Sequence, residues 1–453
     1  MTWDIQFQDG TLVVYGATLA DLPSAFKWDH RIGAPRGPGY LYPKVVLDAL
    51  KQAQEFTDSA RQWSALTDLT HIAMRTPRPY QQEALDAWLS AGRCGTVILP
   101  TGAGKTFVAE LAILKTQRPA LVVTPTLDLV GQWHDRLKAS FQEPIGILGG
   151  GYHEIQRLTV TTYDSAYLYM GKYGDRFGLI VFDEVHHLPA QGYLNATKMA
   201  MAPFRLGLTA TYMRGDGREN LLEGVLGEVV YERNITELSG VYLSDYEVIK
   251  ILVALTDSER EEYVACRQRY TDFLKAKNIR MGGNGWQRFI RAAAQSKVGR
   301  TAFQSYLRAK AIAHSAVGKF VTLEQLLARE RGRRIIIFTH DNASAYHIST
   351  HFLVPCITHH TDLKERRKLL DDFDRGHLTT LVTSRVLNEG VDIQRAEVAV
   401  VMSGSGTVRE HVQRLGRILR PAQGKHAILY ELVAQDTAEE NTSRRRREHD
   451  AYR

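Results

Sequence analysis

Cysteine is scarce: Cys94, Cys266 and Cys356 are the three in 453 residues, scattered and without C-x-x-C spacing or histidine partners at metal distance. That excludes a disulfide framework and a zinc site of the familiar spacings, and predicts reduced, mostly packed thiols. Long apolar runs are missing as well, since none reaches the roughly 18–20 residues that cross a bilayer. The N-terminus has no charged head followed by an apolar core and cleavage site. These absences predict a cytoplasmic chain with no membrane partner. Charge excess is small, a formal +7, too little alone to mark a polyanion partner. Basic residues nevertheless cluster at 329–334, 364–368 and 444–447, to be read either as solvated surface or as phosphate-binding patches.

What is present begins with Pro100-Thr101-Gly102-Ala103-Gly104-Lys105-Thr106, between the apolar run Thr96-Val97-Ile98-Leu99 and the helix-like Phe107-Val108-Ala109-Glu110-Leu111-Ala112. Strand, glycine loop and helix in that order make a phosphate cradle. Loop N–H groups and the positive helix end face the phosphates, and Gly102 and Gly104 let the main chain approach. Lys105 reaches the β/γ oxygens while Thr106 holds Mg²⁺, with Thr101 and Ala103 completing the loop. The strict G-x-x-x-x-G-K-[ST] pattern would place glycine where this chain has Leu99. The competing reading is an ordinary glycine turn.

A second element, Leu179-Ile180-Val181-Phe182-Asp183-Glu184-Val185-His186-His187, is an apolar run ending in two carboxylates. A buried parallel strand that stops there sets both acids at its carboxyl end, where open α/β sheets bind ligands. Asp183 then suits Mg²⁺, and Glu184 suits orienting the water that attacks the γ-phosphate. Without the upstream loop, such a strand end reads as a solvated turn. In Gln413-Arg414-Leu415-Gly416-Arg417-Ile418-Leu419-Arg420 the last two arginines share a helix face. From a separate lobe they would supply positive charge to a loose phosphoryl-transfer transition state; otherwise they are a solvated basic face.

With Leu208-Thr209-Ala210-Thr211, these motifs in this order resemble the superfamily 2 helicases, and more closely the XPB-type DNA helicases of archaea and bacteria. The stretches Phe182-Asp183-Glu184-Val185-His186-His187-Leu188-Pro189-Ala190, Ala202-Pro203-Phe204-Arg205-Leu206-Gly207-Leu208-Thr209-Ala210-Thr211 and Val401-Met402-Ser403-Gly404-Ser405-Gly406 carry that branch, and the likeness runs from about residue 78 to 447. The resemblance implies an ATP- and Mg²⁺-dependent DNA helicase with 3′–5′ polarity, working on forked or distorted duplex in nucleotide excision repair, with a repair nuclease as partner. RNA is the less favoured substrate. It assigns adenine recognition to Gln81 in Arg78-Pro79-Tyr80-Gln81, with Arg78 or Tyr80 near the base. It makes Thr209, Thr211 and Gln413 couplers of hydrolysis to movement and sets Gly390 and Asp392 beside the nucleotide. It gives DNA contacts to Thr126, Thr162, Thr383 and Arg214. Hydroxyls and N–H groups bind phosphate without reading bases, although each threonine also reads as a helix cap or turn residue.

One departure concerns strand separation. The branch resembles a form with Arg-Glu-Asp after the Thr-Ala-Thr motif, and this chain has Arg214-Gly215-Asp216. The missing glutamate bears on the unwinding wedge and leaves the ATPase residues intact. A double-strand DNA translocase, or a nucleotide-regulated scaffold delivering a nuclease, therefore stays open beside the helicase.

Length and 44% hydrophobic content suit several packed domains. The expected class is α/β: two RecA-like parallel-sheet lobes with a small N-terminal α+β module and a helical thumb-like insertion. Residues 1–70 begin with a hairpin around Asp9-Gly10, and 45–63 read as helix. This module is either a sensor of distorted DNA or a stabilising cap. Residues 71–240 alternate strands near 96–99, 120–123, 158–161, 179–182 and 206–208 with helices, as lobe 1. Residues 241–317 hold the helical insertion. There Tyr263, Tyr270, Phe273, Trp286 and Phe289 lie among Arg267, Lys275, Lys277, Arg280, Arg288 and Arg291, either stacking on bases or packing into a core, with a hinge near Met281-Gly282-Gly283. Residues 318–453 repeat the strand theme as lobe 2, without a second glycine loop and with a basic tail.

Overall fold

The computed structural model describes residues 2–72, 75–190, 192–212, 217–240, 242, 245–282, 284–384, 395–403 and 426–446. The chain divides into two compact units, residues 1–237 and 238–453.

In the first unit, β1 (Trp3–Gln8) and β2 (Thr11–Tyr15) form the expected hairpin, with Gln8 opposite Thr11. Asp9 and Gly10 both take positive φ, 49° and 79°, the geometry whose twist matches the flanking strands. With β3 (Lys27–Asp29), β4 (Ala34–Pro38) and β5 (Phe56–Asp58) the sheet order is β3-β4-β2-β1-β5. The helix expected over 45–63 is shorter. It is α1 (Tyr42–Lys51), because Ala53 turns left-handed at φ 51° and Phe56 then pairs in parallel with Trp3. Tyr42, Val45 and Ala49 pack on Trp3, Ile5, Leu12 and Val14, and Met201 closes the same cluster from further along the chain.

The remainder of this unit alternates helix and strand. The elements are α2 (Pro79–Ser90), β6 (Cys94–Ile98), α3 (Lys105–Thr116), β7 (Ala120–Thr124), α4 (Leu127–Ser140), β8 (Ile145–Gly149) and β9 (Tyr152–His153). There follow β10 (Leu158–Thr162), α5 (Tyr163–Tyr173), β11 (Leu179–Asp183), α6 (Tyr193–Met199), β12 (Phe204–Thr209), α7 (Asn220–Leu226), β13 (Val229–Glu232) and α8 (Ile235–Leu238). The sheet order is β13-β6-β12-β11-β7-β10-β8-β9, parallel throughout except for the β8–β9 hairpin. β7, β10 and β11 are buried along their whole length, which is what a parallel sheet covered on both faces demands of its central strands.

The second unit holds a six-stranded, all-parallel sheet of order β14-β19-β18-β15-β17-β16. Its strands are β14 (Asp245–Val253), β15 (Ile335–Phe338), β16 (Cys356–Ile357), β17 (Thr380–Thr383), β18 (Val398–Val401) and β19 (His426–Ala434). β14 precedes the helical segment yet joins this sheet along the full length of β19, a strand the sequence reading had left in the insertion. Helices α9 (Asp257–Ala276), α10 (Gly285–Ala294) and α11 (Lys297–His314) then form a bundle that packs on Ala434 at the end of β19. Tyr263, Tyr270, Phe273 and Phe289 are buried in its cores, and only Trp286 of the interleaved aromatics is exposed. Helices α12 (Val317–Arg329), α13 (Asn342–Phe352) and α14 (Leu363–Arg375) complete the sheet's crossovers. A last helix, α15 (Ala438–Arg446), docks through a buried ion pair, Glu439 to Lys319 at 2.7 Å.

Candidate functional site

Sheet order decides which motifs meet. Along the carboxyl edge of the first parallel sheet come the glycine loop after β6, Thr209 ending β12, Asp183 ending β11, Thr126 after β7, Thr162 ending β10 and Gly149 ending β8. Register confirms the level: Ile98 pairs with Thr209, and Leu208 with Asp183. Neighbouring strands lie about 4.8 Å apart, so the loop and Asp183 are roughly 10 Å apart across β12. The next two strands, β7 and β10, bring Thr126 and Thr162.

In the loop, Gly102 and Gly104 have φ of 87° and 83°, the left-handed region that disfavours other residues. A Cβ on Gly104 would also fall 2.5 Å from Nε2 of Gln81. The Ala103 carbonyl accepts from the Tyr80 hydroxyl at 2.7 Å and from Gln81 Nε2 at 2.9 Å, which ties the loop to α2. Gln81 Oε1 in turn accepts from the Arg78 N–H at 3.0 Å. Leu99, at the position of the missing glycine, is fully buried; its N–H donates to the Thr209 carbonyl and its own carbonyl accepts from Lys105 Nζ at 3.2 Å. That position is thus a last rung of the sheet, where a side chain is accommodated without disturbing the cradle. Lys105 and Thr106 open α3, so their N–H groups belong to the first turn that has no intrahelical acceptors.

Asp183 is buried, and each carboxylate oxygen has a donor: the indole Nε1 of Trp133 to Oδ2 at 2.8 Å and the Glu184 N–H to Oδ1 at 3.0 Å. Its carbonyl accepts from the Tyr163 hydroxyl at 2.9 Å. Burial, with the nearby Asp183 and Glu184 charges, holds the Tyr163 phenol well above its usual range, so it stays a donor. Glu184 itself is left-handed at φ 48°, ψ 53°, a conformation costing a non-glycine residue about 1–2 kcal/mol. Such strain persists where the surroundings over-determine it. The buried His186 ring reaches Thr209 Oγ1 at 3.0 Å and Glu184 Oε2 at 3.5 Å through Nδ1. Thr209 Oγ1 gives its proton to the Thr211 carbonyl and accepts from the Thr211 N–H, which leaves the Nδ1 position to carry a proton toward it. The acid pair and the Thr-Ala-Thr motif are therefore wired together.

Thr126 and Thr162 cap α4 and α5, accepting from the Leu129 N–H at 3.3 Å and the Ser165 N–H at 3.1 Å. The Gly149-Gly150-Gly151 turn lies between these helix starts: a Cβ on Gly149 would meet Ser165, and one on Gly150 would meet Leu127. Two positive helix ends and a glycine turn thus converge on one stretch of edge. Thr383 is different, fully buried with its hydroxyl donating to the Ile357 carbonyl at 3.0 Å. Arg214, Gly390, Asp392, Gln413, Arg417 and Arg420 lie outside the described residues.

Sequence reasoning missed Trp133, Tyr163 and Glu110. Glu110, on α3 and fully buried, accepts from His71, Arg75, Arg136 and Ser140, pinning the phosphate-loop helix to α4 and to the segment before α2. Its one signal was a charged residue on the apolar face of a core helix. The residues fit a nucleotide with its metal on a direct observation: the buried Thr101 hydroxyl, inside the loop, finds no hydrogen-bond partner among the described residues. It stands beside left-handed glycines, a lysine and a helix N-terminus, the donor set that triphosphates take.

Comparison with known proteins agrees. Residues 74–214 match the family model "Type III restriction enzyme, res subunit", and 301–450 match "ERCC3/RAD25/XPB C-terminal helicase". Residues 5–60 match "Xeroderma pigmentosum group B helicase damage recognition domain". Yeast Dbp5 bound to RNA and ADP BeF3 superposes with a TM-score of 0.59, covering 84% of this chain and 89% of that one at 16% identity. That likeness defines the fold class alone, parallel-sheet α/β lobes of the RecA type. The DNA 3'-5' translocase XPB2 of Sulfurisphaera tokodaii is 41% identical over 82% of this chain and 84% of its own length. The DNA 3'-5' helicase XPB of Kineococcus radiotolerans is 31% identical over 80% of this chain, which spans only 61% of that longer relative. The chain belongs to the XPB family of DNA helicases and translocases, whose members use nucleotide. Among the described residues no helix is long and apolar enough to cross a membrane.

Proposed function

We propose that this chain is an ATP-driven motor that moves 3′–5′ on DNA and opens or remodels the duplex. The alignment on one sheet edge of the glycine loop, the Asp183–Glu184 pair and the helix ends capped by Thr126 and Thr162 carries the reading. A bound Mg²⁺ would supply neutralisation of the phosphate charge. Lys105, with the N–H groups of Thr101, Gly102 and Gly104, would hold the phosphates, and Thr106 and Asp183 would hold the metal. Glu184 orients the attacking water, and Gln81 with Arg78 borders the base. Thr209 and Thr211 pass the state of the acid pair onward through His186. The N-terminal ends of α4 and α5 bind backbone phosphate without reading bases. Gly390, Asp392, Gln413, Arg417 and Arg420, with Arg214 and Thr383, enter on their motifs alone. So do the division at residues 70, 240 and 317, the sensing of distorted DNA by the first module, and a repair nuclease as partner in excision repair.

Double-strand translocation without strand release is the second reading, favoured by Gly215 in place of the branch's glutamate. A fluorophore-labelled forked duplex with ATP separates the two. Strand release supports unwinding, whereas displacement of a triplex strand alone supports translocation. Intact DNA binding with neither, and no DNA-stimulated ATPase, would sink the motor and leave a scaffold. Matched DNA and RNA strands in the ATPase assay test the choice of nucleic acid.

A further inference from the structure

Trp133 lies seven residues beyond the N-cap Thr126, on the buried face of α4, and is 2% exposed. A buried indole N–H needs an acceptor, and a backbone carbonyl is sufficient, as Trp88 shows by donating to the Arg205 carbonyl at 2.9 Å. Trp133 instead donates to a carboxylate, and to the one at the carboxyl end of β11. We infer that Trp133 is a positioning residue for the metal-binding carboxylate of Asp183, fixing its plane so that it meets a hydrated Mg²⁺ in one orientation. This rests on the reading of Asp183 as the metal acid.

Three observations support it. The two oxygens of Asp183 are held separately, Oδ2 by the indole and Oδ1 by the Glu184 N–H, so the torsion of the carboxylate is set from both ends. The bond is a short, charge-assisted one between two buried groups, the class that holds geometry best. Its donor also comes from a neighbouring structural layer: α4 follows β7, the strand beside β11 in the sheet. A movement of α4 along its axis therefore shifts the donor against the acceptor. Since Thr126 caps that same helix, the end proposed to hold the nucleic-acid backbone and the residue holding the metal acid are one rigid piece. Strand engagement at α4 then has a direct route to the metal site through this hydrogen bond. Outer partners of metal ligands characteristically change metal affinity by about 10–100-fold when removed.

The test is Trp133→Phe, which keeps the ring in the core and deletes the N–H, with Asp183→Asn beside it. Mn²⁺ binding to the protein–ADP complex is followed by electron paramagnetic resonance, and ADP binding is measured separately in EDTA. The expected result for W133F is a Mn²⁺ dissociation constant raised about tenfold or more, with ADP affinity in EDTA unchanged. Wild-type Mn²⁺ affinity in W133F, with or without a lower melting temperature, overturns the inference and leaves the indole a core residue. If D183N also binds Mn²⁺ as the wild type does, the metal assignment of Asp183 has failed instead. Should W133F not fold, the indole ¹H–¹⁵N resonance of Trp133 in the wild-type protein decides: it shifts when Mg²⁺ is added to the ADP complex, and a stationary resonance overturns the proposal.

Discussion

The side-chain amide of Gln81 donates to the carbonyl of Ala103 at 2.9 Å, across 22 positions of sequence, and so clamps the phosphate loop from the start of α2. A net hydrogen bond contributes about 0.5–1.5 kcal/mol, and Gln81 makes a second with the Arg78 N–H. Gln81→Ala should therefore weaken ATP and ADP binding alike, by roughly tenfold, in equilibrium titrations of the purified protein. Unchanged affinity for both nucleotides would remove the clamp.

Lys105→Ala should abolish ATP turnover, a loss of about 10²–10³-fold or more for a single preorganised charge donor. Among the described residues its Nζ donates a single hydrogen bond, to the neutral Leu99 carbonyl at 3.2 Å, so folding should be preserved. Steady-state ATPase together with a melting curve checks both halves.

Arg417→Ala should spare ATP binding and depress hydrolysis by about 10³-fold or more, the effect of removing a trans-acting arginine. The measurement is ATP affinity beside single-turnover hydrolysis. A binding defect of equal size would contradict a transition-state role.

Lys319 is fully buried and donates to Glu439 at 2.7 Å and to the Met402 carbonyl at 2.7 Å. Glu439→Ala removes the carboxylate that faces this buried ammonium and should cost about 3–5 kcal/mol, read from urea denaturation of the protein. Adding Lys319→Met should recover much of the loss, since the buried charge is then gone.

Burial pushes the Cys356 thiol up to about 11. At pH 8 about one thiol in a thousand is then ionised, and the thiolate is the nucleophile. Reaction with a disulfide reagent should be slow in the native protein and rise about tenfold for each pH unit below 11. Fast labelling at pH 8 would mean the site is open.

The parallel strands were legible because their apolar runs sit between turn residues, and the glycine loop was legible because φ near +85° at Gly102 and Gly104 leaves few other residues. The helix over 45–63 was overextended, since Phe56-Thr57-Asp58 carries no local sign that β1 waits beside it. β14 was missed for the same reason: its partner β19 lies at the far end of the chain, and the helical bundle intervenes. Trp133 reads in sequence as one apolar residue of a helix. Its role emerges only when β7 and β11 are neighbours, which no periodicity announces. The threonine caps show the limit from the other side, because a cap and a phosphate contact ask for the same hydroxyl at the same helix start.

The N-terminal sheet is not an appendage. A Cβ on Gly39 would stand 2.4 Å from the Met199 carbonyl and one on Gly10 2.5 Å from the Met199 side chain, while Met201 fills the core beneath α1. The Gln62 N–H also donates to the Asp175 carbonyl at 3.1 Å, and the Leu66 N–H to Gln117 at 2.9 Å. Trimming the chain to begin at the glycine-loop region would strip a wall from the ATPase, expose apolar methionines to water and yield aggregate in place of a minimal enzyme.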